Sequence, residues 1–599
     1  MRSASGRYEI VFNGEIYNHR TLRATLEAAA FGVPWRGHSD TETLLAAIEA
    51  WGLQRALQHC VGMFALALWD RNSRRLSLAR DRAGEKPLYY GRVGTAFVFG
   101  SELKALQAHP AFHGEVDRGC LALYLRHCYI PEPLSIFKGI QRLPAGSILE
   151  VDEFGSFCTP EPYWNLHSVV EAGQRAPFGG SDREAIDMLE RVLVDAVAKQ
   201  MEADVPLGAF LSGGIDSSLV VALMQRQSAR RVRTFTIGFT EPEYDESAHA
   251  RAVAQHLGTD HTEFRVTPAE SMAVIPRLAT MYDEPFADSS QIPTFLVAQL
   301  ARRHVTVSLS GDGGDELFGG YNRYVWARRV WGAGRLLGPL RGASARSLRA
   351  LNPETWTRVL ALGKPFLPSR WRAAQPGDKI HRIADLLDCS QPELYRMLVS
   401  HWMHPSDLVL GSAEPASPLT QLMAQTGTRC FEEQMMWWDF MTYLPGDILV
   451  KVDRAAMAVS LETRVPLLDH RVIEFAWSLP LNMRVRAGEG KWLLRQLLSK
   501  YVPRALTDRP KTGFGVPLDG WLRGPLRDWA ESLLDDSRLR DEGFLNPAPV
   551  RRAWLDHVSG RRNRAHWLWD ILMFQSWLEQ QRERKVPATP SSGQLARTA

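Results

Sequence analysis

The sequence predicts an α/β protein in two parts, an antiparallel β-rich domain followed by a parallel α/β domain with a helical C-terminal part. Three observations carry this. Short apolar runs separated by turn residues fill residues 1–165. Strand-like and helix-like runs alternate from about residue 183 to residue 310. Within that alternation a strand ends in two glycines just before a helix, AFLSGGIDSSLVVALM at Ala209–Met224, the arrangement that binds anions at a helix start.

In the first part the strands expected are Tyr8–Phe12, Gly62–Trp69, Arg75–Ala79, Pro87–Tyr90 and Ala96–Phe99. The first should run straight into a polar, glycine-bearing loop, Asn13-Gly14-Glu15. One helix is expected at Thr41–Trp51, behind the N-cap candidates Ser39 and Asp40. The run EAGQRAPFGGS (171–181) is a linker by composition. Next come a long amphipathic helix at Arg183–Ala203, a strand at Val205–Leu211 and a helix at Ser217–Arg226. A strand at Val232–Phe239, a helix at Glu246–Leu257 and strands at Thr262–Val266 and Val305–Leu309 complete the alternation. Beyond about residue 320 the chain reads as mainly helical and rich in tryptophan. The division expected is a first domain at 1–165, a linker at 166–182, a second domain at 183–582 and a tail at 583–599, disordered by composition.

At 599 residues the chain is too long for one core. It is 45% hydrophobic and 23% charged, an ordinary globular composition. A net charge of +4 gives no electrostatic case for nucleic acid or an acidic membrane surface. Nine arginines and one lysine face a single acid over Arg328–Arg372; this reads as a solvated helical face, with an acidic partner as the alternative. The six cysteines, Cys60, Cys120, Cys128, Cys158, Cys389 and Cys430, form no C-x-x-C pair. That suggests reduced thiols and a cytoplasmic location. No apolar run approaches a membrane span, and the N-terminus lacks a signal pattern.

The glycine loop carries the sharpest chemistry. Gly213 and Gly214 let the backbone approach an anion with no Cβ in the way, and the amides of the following helix point at it. Ser212, Ser217 and Ser218 add hydroxyl donors. Asp216 beside a phosphate needs a cation between them, and Mg²⁺ on pyrophosphate is the natural one. The loop contains neither G-x-x-x-x-G-K-[ST] nor G-x-G-x-x-G. A second loop, VSLSGDGGDELFGGYNRY at Val307–Tyr324, repeats Ser-Gly at a strand's end and adds Asp312, Asp315 and Glu316. Of two carboxylates three residues apart, one can hold Mg²⁺ and the other can take a proton.

SGGIDSS resembles the PP-loop of ATP pyrophosphatases. The order SGGIDSS, YDEPFADSS, SGDGGDELFGGY, VDRAAMAVSLETRVPLLDH, RPKTGFGVP resembles the synthetase half of glutamine-dependent asparagine synthetases. The resemblance implies ATP and Mg²⁺, with aspartate as acceptor. Ser212, Gly213, Gly214, Ser217 and Ser218 would cradle pyrophosphate. Asp216 and Asp315 would ligate Mg²⁺. Leu211 and Ile237 would flank the adenine, and Ser310 and Gly311 would sit near the ribose and α-phosphate. Lys511 would neutralise the phosphates. Asp312 would accept the proton as ammonia attacks; many family members carry Glu there, about one methylene longer, so this departure bears on reach. Glu462, Arg464 and Asp469 fit substrate recognition and a buried ion-pair network equally well.

The resemblance also reaches the first residues. VFNGEIYNHRTLR is similar to the glutamine-binding loop of class II glutaminases, Ntn-type sandwich domains. Asn13 and the Gly14 amide resemble the oxyanion hole, and Glu15 and Asp40 the glutamine-binding carboxylates. The nucleophile of that domain is a cysteine at the mature N-terminus. Here residue 1 is Met and the first cysteine is Cys60, in LQHCVGMFALALW, which has no free α-amine to serve it. The expectation is an incomplete glutaminase domain whose opening strands and nucleophile lie upstream, or one that kept its loops and lost its chemistry. Either way the chain as written should use ammonia rather than glutamine. Related amidotransferases acting on a sugar uronate or a peptide, ring-closing synthetases, and an inactive ATP-binding scaffold stay open, as does a homodimer.

Overall fold

The computed structural model describes residues 1–29, 31–241, 243–336, 341–351, 389–424, 430–508 and 515–585, with single positions between 355 and 387. Strand β1 (Tyr8–Ile16) buries Tyr8, Ile10 and Ile16 and leaves Val11 exposed, the alternation of a half-covered strand. It pairs antiparallel along its whole length with β2 (Gly62–Asp70), Asn13 opposite Ala65, Gly14 opposite Phe64 and Glu15 opposite Met63. The expected Asn13-Gly14-Glu15 loop is therefore strand. The ladder passes because β2 reaches back to Gly62, and because Gly14 takes φ +154° where a Cβ would lie 2.1 Å from the Met63 carbonyl oxygen.

Strands β3 (Arg75–Arg80), β4 (Tyr89–Val93), β5 (Ala96–Gly100), β6 (Ile140–Arg142), β7 (Ser147–Val151) and β8 (Glu161–Pro162) complete two antiparallel sheets, ordered β1-β2-β3-β7-β8 and β5-β4-β6. Ala65, Ala67, Leu78, Tyr90, Leu149 and Val151 fill the space between them, which makes a sandwich. All five strands expected from the sequence are present. The short β6, β7 and β8 were not foreseen, because runs of two to five residues carry almost no periodicity. The helix Asp40–Trp51 packs on the outer face of the first sheet through Leu44 and Ile48. Its N-cap is Ser39, whose hydroxyl accepts the Glu42 amide at 3.2 Å.

Part of the segment read as linker is a helix, Leu166–Arg175. Leu166 and Val170 join the core of the second domain, and a Cβ on Gly173 would meet the Trp477 carbonyl at 2.3 Å. A helix over Asp182–Gln200 follows, closed by a Ser181–Glu184 capping box. Strands β9 (Leu207–Phe210), β10 (Arg233–Phe239), β11 (Asp260–Val266), β12 (Val307–Leu309) and β13 (Glu462–Arg464) form one sheet, ordered β11-β10-β9-β12-β13 and parallel throughout. The chain begins in the middle, builds to one edge, then returns to the other side of β9. The loops after β9 and β12 thus leave the carboxyl ends of adjacent strands at the switch point, where open α/β sheets bind ligands.

Among the described residues beyond 320 the regular elements are helices apart from β13. A ten-residue π-helix, Asp439–Ile448, runs into the helix Leu449–Met457. Trp554, Trp569 and Trp577 are buried around the helix Ala565–Lys585. Among the described residues no helix is long and apolar enough to cross a membrane. Much of the basic run 328–372, and the tail beyond Lys585, lie outside the described residues.

Candidate active site

The first loop folds on itself through its serines. Ser212 and Ser217 share a hydrogen bond at 2.9 Å between their hydroxyls, and the Gly214 amide donates to the Ser212 hydroxyl at 3.2 Å. Gly214 caps the helix Ile215–Gln227, so the amides of its first turn open towards the loop. Gly213 takes φ +74°, and a Cβ there would lie 2.8 Å from the Ala250 amide nitrogen. Ser218 is fully buried one position further into the helix. Leu211, just past the end of β9, and Ile237, within β10, both expected beside the adenine, are buried.

The second loop lies directly against the first. A Cβ on Gly311 would meet the Ser217 amide nitrogen at 2.7 Å. One on Gly314 would meet Asp216 Oδ1 at 2.5 Å. Glycine at both positions is what lets the two loops close. Asp216 and Asp315 are thereby brought to one point, and the group found there is the ammonium of Lys491. Its Nζ lies 2.8 Å from Asp315 Oδ1 and contacts Asp216 Oδ2. Burial lowers the affinity of Lys491 for its proton, but Asp216 and Asp315 outweigh burial and hold its pKa above the ordinary value.

Lys491 was not anticipated. It sits in GEGKWLLR at φ +58°, N-cap of the helix Trp492–Leu498, with its amide on the Phe318 carbonyl at 2.8 Å. The structure holds it by close glycine packing: a Cβ on Gly490 would strike the Gly319 carbonyl at 2.0 Å, and one on Gly320 would lie 2.1 Å from Lys491 Cε. Lys511 falls outside the described residues.

Asp312 lies within reach of this cation's charge. Its Oδ2 accepts the Ser310 hydroxyl at 2.7 Å. Burial raises its pKa, against the Ser310 hydrogen bond and the charges of Lys451 and Lys491. Lys451 contacts Asp288 and lies 3.7 Å from Asp447. Burial, then Asp288, push Asp447 well up. The donor set fits Mg²⁺. Asp216 and Asp315 are hard oxygen ligands already gathered around one positive charge, and Mg²⁺ takes one or two carboxylates plus substrate phosphates. Among the described residues no group of three or more His, Cys, Asp or Glu could hold a metal unaided.

Glu462, Arg464 and Asp469 are drawn into ion pairs. Arg464 Nε donates to Glu462 at 2.7 Å, and Asp469 accepts the Arg471 amide at 3.0 Å as N-cap of the helix His470–Ser478.

In the first domain Glu15 and Asp40 are neighbours. Asp40 accepts the Ile16 amide at 2.9 Å. Burial, then Asp40, push the Glu15 pKa up to about 7, against the nearby Arg464. Asn13 is exposed and donates to the Ser101 hydroxyl at 3.1 Å. Cys60 is fully buried, and burial pushes its thiol up to about 12, the character of an inert structural cysteine.

Comparison with known proteins follows the same division. The asparagine synthase family profile matches residues 188–579, and the glutamine amidotransferase domain profile matches residues 1–164. A Mycobacterium tuberculosis protein named as a glutamine-hydrolysing asparagine synthetase is 35% identical over 96% of this chain and 84% of its own length. Glutamine-hydrolysing asparagine synthetase 1 of Bacillus subtilis is 30% identical over 95% of this chain and 85% of its own. A Penicillium rubens protein named amidase chyE is 26% identical over 90% of this chain and 81% of its own. With a profile matched over more than half its length and relatives of this identity across nearly all of it, the chain belongs to the asparagine synthetase (glutamine-hydrolysing) family.

Proposed function

We propose that the chain converts aspartate to asparagine through a β-aspartyl-AMP intermediate, releasing AMP and pyrophosphate. The observation that carries this reading is the convergence of Asp216, Asp315 and Lys491 where the two glycine loops touch. Ser212, Gly213, Gly214, Ser217 and Ser218 hold the pyrophosphate portion of ATP. Ser310 and Gly311 face the ribose and α-phosphate, and Leu211 and Ile237 wall the base. Asp216 and Asp315 would hold Mg²⁺, which neutralises the leaving pyrophosphate. As the β-carboxylate attacks, negative charge builds on the α-phosphate and its leaving oxygen, and Lys491 supplies a preorganised positive charge against it. Asp312, its pKa raised by burial against the Ser310 hydrogen bond and the charges of Lys451 and Lys491, takes the proton lost when ammonia attacks the acyl carbon.

Glutamine is the amido donor of the complete machinery, with Glu15 and Asp40 recognising it and Asn13 and Gly14 shaping the oxyanion site. Cys60, buried with its thiol pushed up to about 12, is not the nucleophile of that step. A second acceptor has one observation in its favour: Asp at position 312 leaves about one methylene more room than Glu would.

The test is pyrophosphate release and product identity with ATP, Mg²⁺ and aspartate, given ammonia or glutamine. Asparagine from ammonia supports the adenylate reading, and asparagine from glutamine supports the donor. Asparagine from ammonia with none from glutamine overturns the donor assignment. No aspartate-dependent pyrophosphate with either donor overturns the acceptor and moves it to another carboxylate.

A further inference from the structure

The run DRAAMAVSLETR (453–464) is not used by the chemistry above, yet it touches both candidate sites. Asp453 pairs with Lys86 at 3.0 Å in a buried contact. Arg454 Nη2 donates to the Ser101 carbonyl at 2.8 Å, and the Ser101 hydroxyl is the partner of Asn13. At the other end Arg464, buried, sends Nη1 to the carbonyls of Gln200 and Glu202 at 2.9 and 2.6 Å and Nε to Glu462. Its Nη2 reaches Glu15 Oε2 at 3.5 Å.

The main chain of the same residue leads to the nucleotide loop. β13 pairs in parallel with β12, Arg464 opposite Leu309. The Arg464 carbonyl accepts the Ser310 amide at 2.9 Å, and the Ser310 hydroxyl holds Asp312. One residue therefore separates Glu15 from the loop that carries Asp312.

We propose that Arg464 is a positioning residue that couples the two sites: its side chain senses the charge at Glu15, and its backbone sets the Ser310–Asp315 loop. The inference rests on reading 310–315 as the nucleotide loop. Three of the guanidinium's bonds lie within the second domain and would suffice for a structural lock. The fourth is the longest and crosses to the first domain. Its partner Glu15 also has Asp40 beside it as a like charge. An ammonium-bearing ligand between Glu15 and Asp40 would take over that charge and release Nη2, loosening the side chain whose backbone fixes Ser310.

The test uses the full chain as Glu15→Gln, Arg464→Lys and the double variant. The first readout is amide hydrogen exchange of peptides spanning 307–318. The second is kcat/KM for ATP in ammonia-dependent AMP formation. Glu15→Gln should speed exchange at 307–318 and shift kcat/KM for ATP about two- to tenfold. In the Arg464→Lys background it should add nothing further, the non-additivity of coupled residues. Additive effects, or exchange unchanged by Glu15→Gln, overturn the proposal in favour of a purely structural Arg464. Should Arg464→Lys not fold, the exchange measurement on Glu15→Gln decides alone. A wild type that forms no AMP with aspartate and ammonia defeats the proposed function, while the exchange comparison still decides the link.

Discussion

Replacing Lys491 by Met removes a cation that Asp216 and Asp315 share. Lys491 is 9% exposed and holds both carboxylates at hydrogen-bond range. Breaking a buried pair costs about 3–5 kcal/mol. Arginine does not rescue the position, because Gly320 already packs so closely on Lys491 Cε that a Cβ there would sit at 2.1 Å. Two effects should separate in the assays. In chelator the apparent Tm of Lys491→Met falls well below wild type; with Mg²⁺ and ATP part of the loss returns, because a divalent cation again bridges the carboxylates. Aspartate-dependent pyrophosphate release falls by about 10²–10³ and does not recover, since losing a preorganised charge at the reacting phosphate is worth roughly 2.7–4 kcal/mol. A Lys491→Met enzyme within about threefold of wild-type activity would refute the reasoning, whatever its Tm. So would a Tm loss that Mg²⁺ and ATP leave untouched.

Gly311→Ala should lower kcat/KM for ATP by at least about tenfold, because the new Cβ meets backbone atoms of Ser217 and Asp216 at 2.7 and 2.8 Å; an unchanged kcat/KM would mean the loops are not held together as described. Glu15 binds its proton more tightly folded than unfolded, so it weakens the fold as pH rises from its ordinary 4.5 to about 7. Glu15→Gln should flatten that part of a Tm-against-pH curve, and parallel curves for the two proteins would contradict it. Cys60→Ala should leave ammonia-dependent asparagine formation within about twofold, at a stability cost near 1 kcal/mol for a small buried side chain; loss of turnover in a folded variant would assign Cys60 a role its burial denies it.

The two glycine loops were legible because their residues are local in the chain. SGGIDSS and SGDGGDE each place glycines, hydroxyls and carboxylates within seven residues of a strand's end, and the parallel sheet then puts those ends side by side. Lys491 was not legible, because it meets Asp216 across 275 residues and nothing around it marks a phosphate site. β13 was hidden for a related reason. Its three residues gain strand character only from β12, which arrives from the far side of the chain. The helix Leu166–Arg175 escaped because Gly173 and the polar run after it read as a linker, whereas Gly173 is needed for close approach to Trp477. The glutaminase-like strand was found but cut short at Phe12, since glycine and asparagine break a strand pattern unless the partner strand is known.

The division of labour between Asp312 and Asp315 follows from their surroundings. Both leave the same short loop, three residues apart. Asp315 faces Lys491 and, with Asp216, forms a pair whose charge is compensated. A carboxylate so engaged is a poor proton acceptor and a good ligand for a cation. Asp312 has a single hydroxyl partner and lies where burial raises its pKa. That is the environment of a base, and carboxyl groups whose surroundings differ in this way take opposite roles in catalysis. Lengthening the base tests the assignment directly. Asp312→Glu extends the reach by about one methylene while keeping the acid. If the pocket is built for aspartate, the variant should keep its KM for aspartate and move the acidic limb of the pH–rate profile, where the base becomes protonated. If Asp312 instead marks a larger acceptor, the variant should raise the KM for that acceptor and improve turnover of aspartate. An inactive Asp312→Glu with the KM for ATP and the Tm unchanged would show that reach, not acidity, is what position 312 controls.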